Sequence, residues 1–244
     1  MFYPYLCNNT KINKKELANS VMGYTMYETL LQLPLFQGMS KAELSEIIER
    51  VKFHFHKFDT GNILFSQGDI CDKIVFLLSG EIEIETAAPC GNFSFAERYN
   101  QPMIIEFHSL FGIAPKFKAT YTTLSNTALL TIDKQYMYNV LDKYEVFRMN
   151  LLNLLCNRTE LLHNKIWAIK PEGLEGRLIH LIKSLCTTTQ GYKILRIKME
   201  DLASLLDDTR LNISNILNKW RNEGLIEMHR KEFIFHDVER LEGI

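Results

Sequence analysis

Short β-rich runs, separated by turn sequences, fill the chain from Lys52 to Ile132. The runs are KFHFHKF, NILFSQ, KIVFLL, EIEIET, MIIEF and ATYTTLSNTALLTI, and the segments between them include DTGN, QGD, LSGE and PCGN. Alternating apolar residues indicate strands, and Gly, Asp and Asn between them indicate tight turns. Many short strands at regular spacing predict a jelly-roll β-barrel.

Helical patterns flank this series on both sides. Ser40, followed three residues later by Glu43, forms a capping-box sequence and predicts short helices before Val51. From Lys134 to Ile169 no Gly or Pro occurs, and apolar residues recur at helical spacing, which predicts one long helix. One barrel does not need so long an apolar stripe, so we expect a homodimer in which a second copy covers it. The stripe consists of Phe147, Leu151, Leu154, Leu155, Leu161, Leu162 and Ile166.

The C-terminal stretch DLASLLDDTRLNISNILNKWRNEGLIEMHRKEFIFHD combines two periodicities. Its first part predicts two short helices joined at residues 207–209, and no acidic residue occurs between Thr209 and Asn222. In its second part, apolar residues recur with period two on both sides of HRKE, which predicts a β-hairpin that turns at HRKE. Two helices with a tight turn and an adjoining hairpin predict a winged helix-turn-helix. The predicted buried positions are Leu202, Ala203, Leu205 and Leu206 in the first helix, and Leu211, Ile213, Ile216, Leu217 and Trp220 in the second.

This stretch resembles the winged helix-turn-helix of the Crp/Fnr family of bacterial transcription regulators. FHKFDTGNILFSQGDICDKIVFLLSGEIEIE is similar to the cyclic-nucleotide-binding-type β-roll of the same family. The resemblance implies an α+β fold with an N-terminal jelly-roll β-barrel, a long dimerisation helix and a C-terminal winged helix-turn-helix. The expected segments are an N-terminal extension (1–26), the β-roll effector domain (27–133), the dimerisation helix (134–169) and the DNA-binding domain (170–244).

The resemblance also implies DNA-reading positions on the second helix of the motif. Thr209 and Arg210 fall where the family has Ser or Thr followed by Arg, which implies a phosphate contact and a base contact. Leu211 replaces a common Glu, and Asn215 stands where many members have a second Arg, so the half-site should differ from the best-known one. Asp207 replaces a Gly that permits positive φ. The candidate DNA-binding residues are Thr209, Arg210, Leu211, Asn212, Asn215 and Lys219.

Members that bind cyclic AMP carry a Gly-Glu pair for the ribose and an Arg-Ser or Arg-Thr pair for the phosphate. In SLFGIAPKFKATYTT, Gly112 is followed by Ile113, and no Arg occurs between Arg98 and Arg148. The resemblance therefore implies a small-molecule effector other than cyclic AMP. The alternative is that Lys118 and Thr120 replace the Arg-Thr pair. The candidate effector-pocket residues are Gly112, Ile113, Lys118 and Thr120.

Composition narrows the remaining classes of function. The formal net charge of −1 excludes overall basicity, so nucleic-acid binding must use a local patch. The five cysteines form no C-x-x-C pair, which argues against a zinc site and a disulfide framework. Apolar runs are too short for a membrane span, and we expect a cytoplasmic protein without a membrane partner.

An alternative interpretation comes from His54 and His56, an H-x-H pair on one face of a predicted strand. Such a pair in a jelly roll is typical of metal-binding cupins, whether enzymes or sensors, but the Glu and second His of that motif are not recognisable here. We expect no enzyme, assign no catalytic or metal-binding residue, and identify no cofactor. The expected partners are double-stranded DNA with an inverted-repeat operator, a second copy of the chain, the effector and, as a further candidate, RNA polymerase.

Overall fold

The computed structural model of the protein describes residues 25–169 and 171–243, so residues 1–24 of the expected N-terminal extension lie outside the described part. Two helices, α1 (Met26–Leu31) and α2 (Lys41–Arg50), precede the strands. The capping box predicted at the start of α2 is confirmed. The Ser40 hydroxyl accepts a hydrogen bond from the Glu43 amide at 3.3 Å, and the Glu43 carboxylate accepts one from the Ser40 amide at 2.8 Å.

Eight strands form two four-stranded antiparallel layers, which we call the β-roll. One layer has the order β1-β8-β3-β6, and the other has the order β5-β4-β7-β2. The strands are β1 (Phe53–Phe58), β2 (Ile63–Phe65), β3 (Lys73–Ser79), β4 (Ile82–Ala87), β5 (Phe93–Tyr99), β6 (Met103–Ile105), β7 (Thr120–Thr123) and β8 (Thr127–Asp133). The predicted jelly roll is confirmed, although β5 was not among the predicted runs.

Three helices follow the strands or connect them: α3 (Phe107–Leu110), α4 (Gln135–Asn139) and α5 (Glu145–Ile166). The sequence predicted that the long helix begins at Lys134, but α5 begins at Glu145. A 3₁₀ turn over Leu141–Lys143 separates it from α4, and Tyr144 is extended with φ −91° and ψ 119°. Leu141 and Tyr144 are buried, so core packing outweighs helical continuity at this point.

The remaining elements form what we call the C-terminal unit, residues 174–243. They are α6 (Leu174–Leu185), β9 (Lys193–Ile197), α7 (Met199–Leu206), α8 (Arg210–Asn222), β10 (Ile226–His229), β11 (Glu232–Phe235) and a terminal 3₁₀ turn (Glu239–Gly243). The hairpin β10–β11 turns at residues 230–231, where Lys231 has φ 65°. The predicted helix-turn-helix with its wing is therefore confirmed. Strand β9 was not predicted from the sequence.

The β-roll and the C-terminal unit share one sheet. Strand β5 pairs with β4 on one side and with β9 on the other, which gives seven strands in the order β10-β11-β9-β5-β4-β7-β2. The pairing of β5 with β9 is antiparallel and aligns Phe93 with Ile197 and Glu97 with Lys193. Phe95 of β5 packs in the core of the C-terminal unit. Backbone hydrogen bonds and apolar burial therefore both hold the two parts together.

Charged side chains reinforce this junction. Arg196 of β9 contacts Glu83 at 3.0 Å and Glu85 at 2.9 Å, both on β4, and Glu232 of β11 at 3.1 Å. Partial burial alone would lower the pKa of Arg196, but its carboxylate partners, chiefly Glu83, raise it. The guanidinium therefore joins the wing hairpin to the β-roll.

Among the described residues, no helix combines the length and apolar character that crossing a bilayer requires.

Candidate nucleic-acid interface and β-roll pocket

The turn between α7 and α8 is defined by one residue in a left-handed conformation. Asp207 has φ 50° and ψ 55°. This positive φ was expected, because Asp207 stands where the family usually has a glycine. The Asp208 amide then donates to the Ala203 carbonyl at 3.1 Å, which ends α7. Thr209 caps α8 by accepting a hydrogen bond from the Asn212 amide at 3.2 Å. Three consecutive residues thus fix the direction in which α8 leaves the turn.

The carboxylate of Asp208 stabilises the start of α8 through hydrogen bonds. It accepts hydrogen bonds from the Asn212 side-chain amide at 2.8 Å and from the Thr209 amide at 2.8 Å. Arg177 of α6 donates to its other oxygen at 2.9 Å. These hydrogen bonds lower the pKa of Asp208, and the bond from Asn212 has the largest effect. The start of α8 is therefore tied to α6 before any ligand binds.

The six candidate DNA-binding side chains are all exposed along α8. The opposite face of the helix is buried through Ile213, Leu217 and Trp220. Leu205 of α7 and Leu211 of α8 were both predicted to be buried, and both predictions are wrong, because Leu205 is 42% exposed and Leu211 is 69% exposed. Leu211 precedes Ile213 by two residues, and two residues correspond to about 200° around a helix, so it faces away from the core. An exposed leucine therefore lies among the polar candidate residues.

The two candidate residues with cationic side chains already form ion pairs. The Arg210 guanidinium lies 3.0 Å from the Glu200 carboxylate of α7, and the Lys219 ammonium lies 3.2 Å from Glu175 of α6. The same Glu175 oxygen accepts the indole N–H of Trp220 at 2.8 Å. These exposed ion pairs are weak in water, so both cations can exchange their carboxylates for phosphate or base edges at small cost.

The wing lies next to the start of α8. A cavity of about 330 Å³ separates them, and its lining includes Arg210, Lys198, His229 and Lys231. The lining holds three basic residues, Lys198, Arg210 and Lys231, and one acidic residue, Glu200, so this side of the C-terminal unit is locally cationic despite the overall charge of −1. The N-terminus of α8 adds a partial positive charge. Such a surface attracts a polyanion.

The candidate effector-pocket residues do not converge on one cavity. Gly112, Ile113 and the side chain of Lys118 are exposed, and Ile113 has no buried surface. Thr120 is partly buried, accepts a hydrogen bond from the Gln67 amide at 3.1 Å, and borders a polar cavity of about 350 Å³ next to Arg196. Their role in effector binding stays a prediction.

Glu106, which is not among the residues predicted from the sequence, lies just before α3 with φ 39° and ψ 42°. Its carboxylate accepts hydrogen bonds from the backbone amides of Lys118 at 2.8 and 2.9 Å and of Ala119 at 3.0 Å. The Ser109 hydroxyl donates to it at 2.7 Å, and the Tyr121 hydroxyl at 2.9 Å. A sequence signal existed in an acidic residue between the apolar runs MII and FHSLF, but all of its partners except Ser109 lie on a separate segment.

Aromatic side chains fill the space beside this carboxylate. Phe65 and Phe117 stack with ring centroids 4.4 Å apart, and Tyr121 meets Phe117 edge-on at 6.0 Å. Phe107 is buried, whereas Phe111 is about half exposed. Burial, followed by the charge of Glu106, raises the pKa of Tyr121, so its hydroxyl remains a donor at neutral pH.

The helix α5 leaves much of its apolar stripe uncovered. Phe147 is buried, and Leu151 and Leu154 are partly buried against the β-roll. The stripe residues beyond them are exposed: Leu155, Leu161, Leu162 and Ile166. At the end of α5, Lys165 donates hydrogen bonds to the carbonyls of Ser184 and Cys186, which ties this helix to the end of α6.

The two histidines of the alternative interpretation contact β8. His56 shares a hydrogen bond with the Thr131 hydroxyl at 3.1 Å, and His54 lies 3.8 Å from Asp133. Burial lowers the pKa of His56. Within the described residues, no group of three or more His, Cys, Asp or Glu is arranged to hold a metal ion. The arrangement therefore gives the cupin interpretation no support.

Two family models match this chain. Residues 55–144 match the cyclic nucleotide-binding domain, and residues 176–244 match the Crp-like helix-turn-helix domain. The first match covers most of the β-roll and ends at the residue before α5. The second match covers nearly all of the C-terminal unit, including both helices of the motif and the wing.

Curated relatives align along most of the chain. The CRP-like cAMP-activated global transcriptional regulator of Mycobacterium tuberculosis is 22% identical over 223 residues, which cover 88% of this chain and 98% of the relative. The global nitrogen regulator of Nostoc sp. is 20% identical over 215 residues, which cover 83% of this chain and 91% of the relative. Among solved structures, the catabolite activator protein of Thermus thermophilus aligns with 18% identity and a TM-score of 0.46, over 86% of this chain and 96% of that one.

Proposed function

Because the chain belongs to the Crp/Fnr family of DNA-binding transcription regulators, we propose that it regulates transcription by binding a specific inverted-repeat operator through α8. The observation that carries this proposal is the exposure of all six candidate reading residues. Leu211, Asn212, Asn215 and Lys219 point away from the buried face formed by Ile213, Leu217 and Trp220, and Thr209 and Arg210 lie at the N-terminus of α8. A helix with a buried apolar face and an exposed polar, cationic face is suited to the major groove.

Five of the six reading residues have a contact that suits their chemistry. Arg210 pairs with guanine through O6 and N7, and Asn215 pairs with adenine through N6 and N7. The exposed Leu211 packs on a thymine methyl group, the apolar feature of the major groove. Thr209 and Lys219 contact phosphates, which position the helix without reading sequence. The operator half-site should therefore contain guanine, thymine and adenine at the contacted positions.

Two copies of the chain associate through α5 in this proposal. The exposed leucines Leu155, Leu161 and Leu162 support it, because an apolar stripe of this length is costly in water and packs well against its own copy. A two-fold dimer presents two copies of α8 to DNA, so the half-sites form an inverted repeat with centres about 10 base pairs apart.

The effector in this proposal is a molecule other than cyclic AMP, although the mycobacterial relative is described as cAMP-activated. Without an arginine between positions 98 and 148, no guanidinium fork from this segment is available for the cyclic phosphate. Phe117 stacks on Phe65 in the interior, where a ribose phosphate would need polar partners. Calorimetric titration with cyclic AMP and cyclic GMP tests this: a dissociation constant at or below about 10 µM, with tighter DNA binding, would refute it.

Selection of bound duplexes from a random DNA library tests the proposed function itself. We expect the wild-type chain to enrich one inverted repeat. With the Arg210→Ala variant, the base preference should weaken at one position of each half-site. A folded wild-type dimer that enriches no sequence would rule out a sequence-specific regulator. Enrichment of a direct repeat or a single half-site would rule out the proposed dimer geometry.

A further inference from the structure

Four hydrogen-bond donors converge on one point of the β-roll. They are the backbone amides of Lys118 and Ala119 and the hydroxyls of Ser109 and Tyr121, and the Glu106 carboxylate lies between them. Ser109, Ala119 and Tyr121 are almost fully buried. A cluster of buried donors is suited to an anion, because a carboxylate accepts at both oxygens and offers no competing donor.

We propose that these four groups form an oxyanion-binding site and that the Glu106 carboxylate is its resident ligand. The site accepts carboxylates and other small oxyanions. In the native chain an external anion is excluded, because a tethered carboxylate competes at an effective concentration far above that of a free one.

The backbone of Glu106 supports this assignment. Its φ of 39° lies in the left-handed region, which residues with a β-carbon seldom adopt. Such a conformation persists where surrounding contacts compensate for it, and here the compensating contacts are those of the carboxylate. The chain therefore accepts local strain in order to place this side chain among the donors.

Neighbouring groups respond to the charge of Glu106. Burial, and then this carboxylate, raise the pKa of Cys71 to about 11. The same two causes raise the pKa of Tyr121, which keeps its hydroxyl protonated and able to donate. The charge thus acts in a partly buried environment where it is only weakly screened.

The inference is independent of DNA binding, because its test measures thermal stability. In the full-length chain, Glu106→Gly removes the ligand and relieves the left-handed strain. Sodium propionate, which resembles the glutamate side chain, should then occupy the vacated site and raise the melting temperature. At ten times its dissociation constant, the increase should be about 3 °C. Propionamide has the same shape without the charge and should have no effect.

Two controls separate site binding from a general salt effect. The wild-type chain and Glu106→Gln both keep the site filled, so propionate at constant ionic strength should leave their melting temperatures unchanged. The proposal fails if propionate stabilises wild type and Glu106→Gly equally, or if propionamide acts as well as propionate.

A second measurement applies if Glu106→Gly does not fold with or without propionate. Glu106→Gln should then melt lower than wild type, because an amide accepts at one oxygen and turns an N–H toward the donors. The matched change Glu49→Gln, at an exposed position on α2, should leave the melting temperature unchanged. Equal melting temperatures for Glu106→Gln and Glu49→Gln would overturn the proposal.

Discussion

The Lys193 ammonium of β9 lies 3.1 Å from the Glu97 carboxylate of β5, and both side chains are more than 90% buried. Both members have further partners: Lys193 donates to the Gln190 carbonyl at 2.7 Å, and Glu97 accepts the Thr187 amide at 3.0 Å. A buried charge is tolerated only when it is paired and hydrogen-bonded. This ion pair therefore stabilises the junction of the two units only while both members are present.

Breaking this pair on one side should be more harmful than replacing both members. We expect Lys193→Met alone to lower the free energy of unfolding by about 3 to 5 kcal/mol, because Glu97 is left as a buried, unpaired charge. Lys193→Met combined with Glu97→Leu should cost clearly less than the sum of the single changes. Urea denaturation measures both. Glu46→Gln, in the exposed pair with Arg50, is the control and should change stability by less than about 1 kcal/mol.

Association through α5 should be sensitive to charge on its exposed stripe. Leu161→Glu places a carboxylate where the partner's apolar side chains would pack, so we expect a folded monomer at micromolar concentration. Glu160→Lys changes charge on another face of the same helix and should leave the dimer intact. Sedimentation velocity distinguishes the two masses. A dimeric Leu161→Glu variant would mean that the interface lies elsewhere.

Base reading and phosphate attraction should respond differently to mutation of α8. Arg210→Ala should cost about 1 to 3 kcal/mol per half-site on the specific operator and little on random DNA. Lys219→Ala should weaken all duplexes similarly and reduce the salt dependence of binding. Fluorescence anisotropy at several salt concentrations measures both effects. Equal losses on specific and random DNA for Arg210→Ala would show that this side chain does not read a base.

The base preference at one position should depend on Leu211. Its exposed side chain is suited to a thymine methyl group, whereas a carboxylate accepts from the amino group of cytosine. Leu211→Glu should therefore change the selected base from thymine to cytosine at one symmetric position of each half-site. Sequencing of selected duplexes reports the change. An unaltered selected motif would remove Leu211 from the reading surface.

Alkaline pH should destabilise the protein through Tyr121. The pKa of its hydroxyl is raised in the folded chain by burial and by Glu106, whereas a tyrosine in the unfolded chain titrates near pH 10. The stabilisation is complete below that pH and decreases as pH rises above it, because only the unfolded chain then releases the proton. Urea denaturation at about pH 9 and about pH 11 measures the decrease.

Tyr121→Phe is the matching variant and should lose less stability than wild type over this range. Part of the decrease should remain, because burial also raises the pKa of Tyr99 to about 12. The assignment to Tyr121 would be wrong if the variant and the wild-type chain lost equal stability over this range.

Local sequence patterns were sufficient for the elements that are held by local interactions. The turn after α7 was predictable because Asp tolerates positive φ, and the cap of α2 followed from Ser40 and Glu43. Leu211 shows the limit of such patterns: its apolar character predicts burial, but its angular position on α8 opposes that of the buried Ile213, so it is exposed.

Features that depend on distant segments were not predictable in this way. Strands β5 and β9 lie about a hundred residues apart in the sequence, and nothing in either one specifies the other as its neighbour. Apart from Ser109, the groups that bind Glu106 are more than ten residues away, so its role emerges only when the loop at Lys118 folds over it. The candidate effector-pocket residues predicted from the sequence are Gly112, Ile113, Lys118 and Thr120, and all of these except Thr120 are exposed.

The pairing of β5 with β9 also covers a vulnerable edge. Without β9, the seven residues Phe93–Tyr99 would present unpaired amides and carbonyls together with the apolar rings of Phe93 and Phe95. An open, apolar edge strand is a template for association with another chain. The strands that remain outermost, β2 and β10, are only three and four residues long. Any motion that carries the C-terminal unit away from the β-roll therefore exposes β5 to aggregation or strand exchange, unless another strand replaces β9.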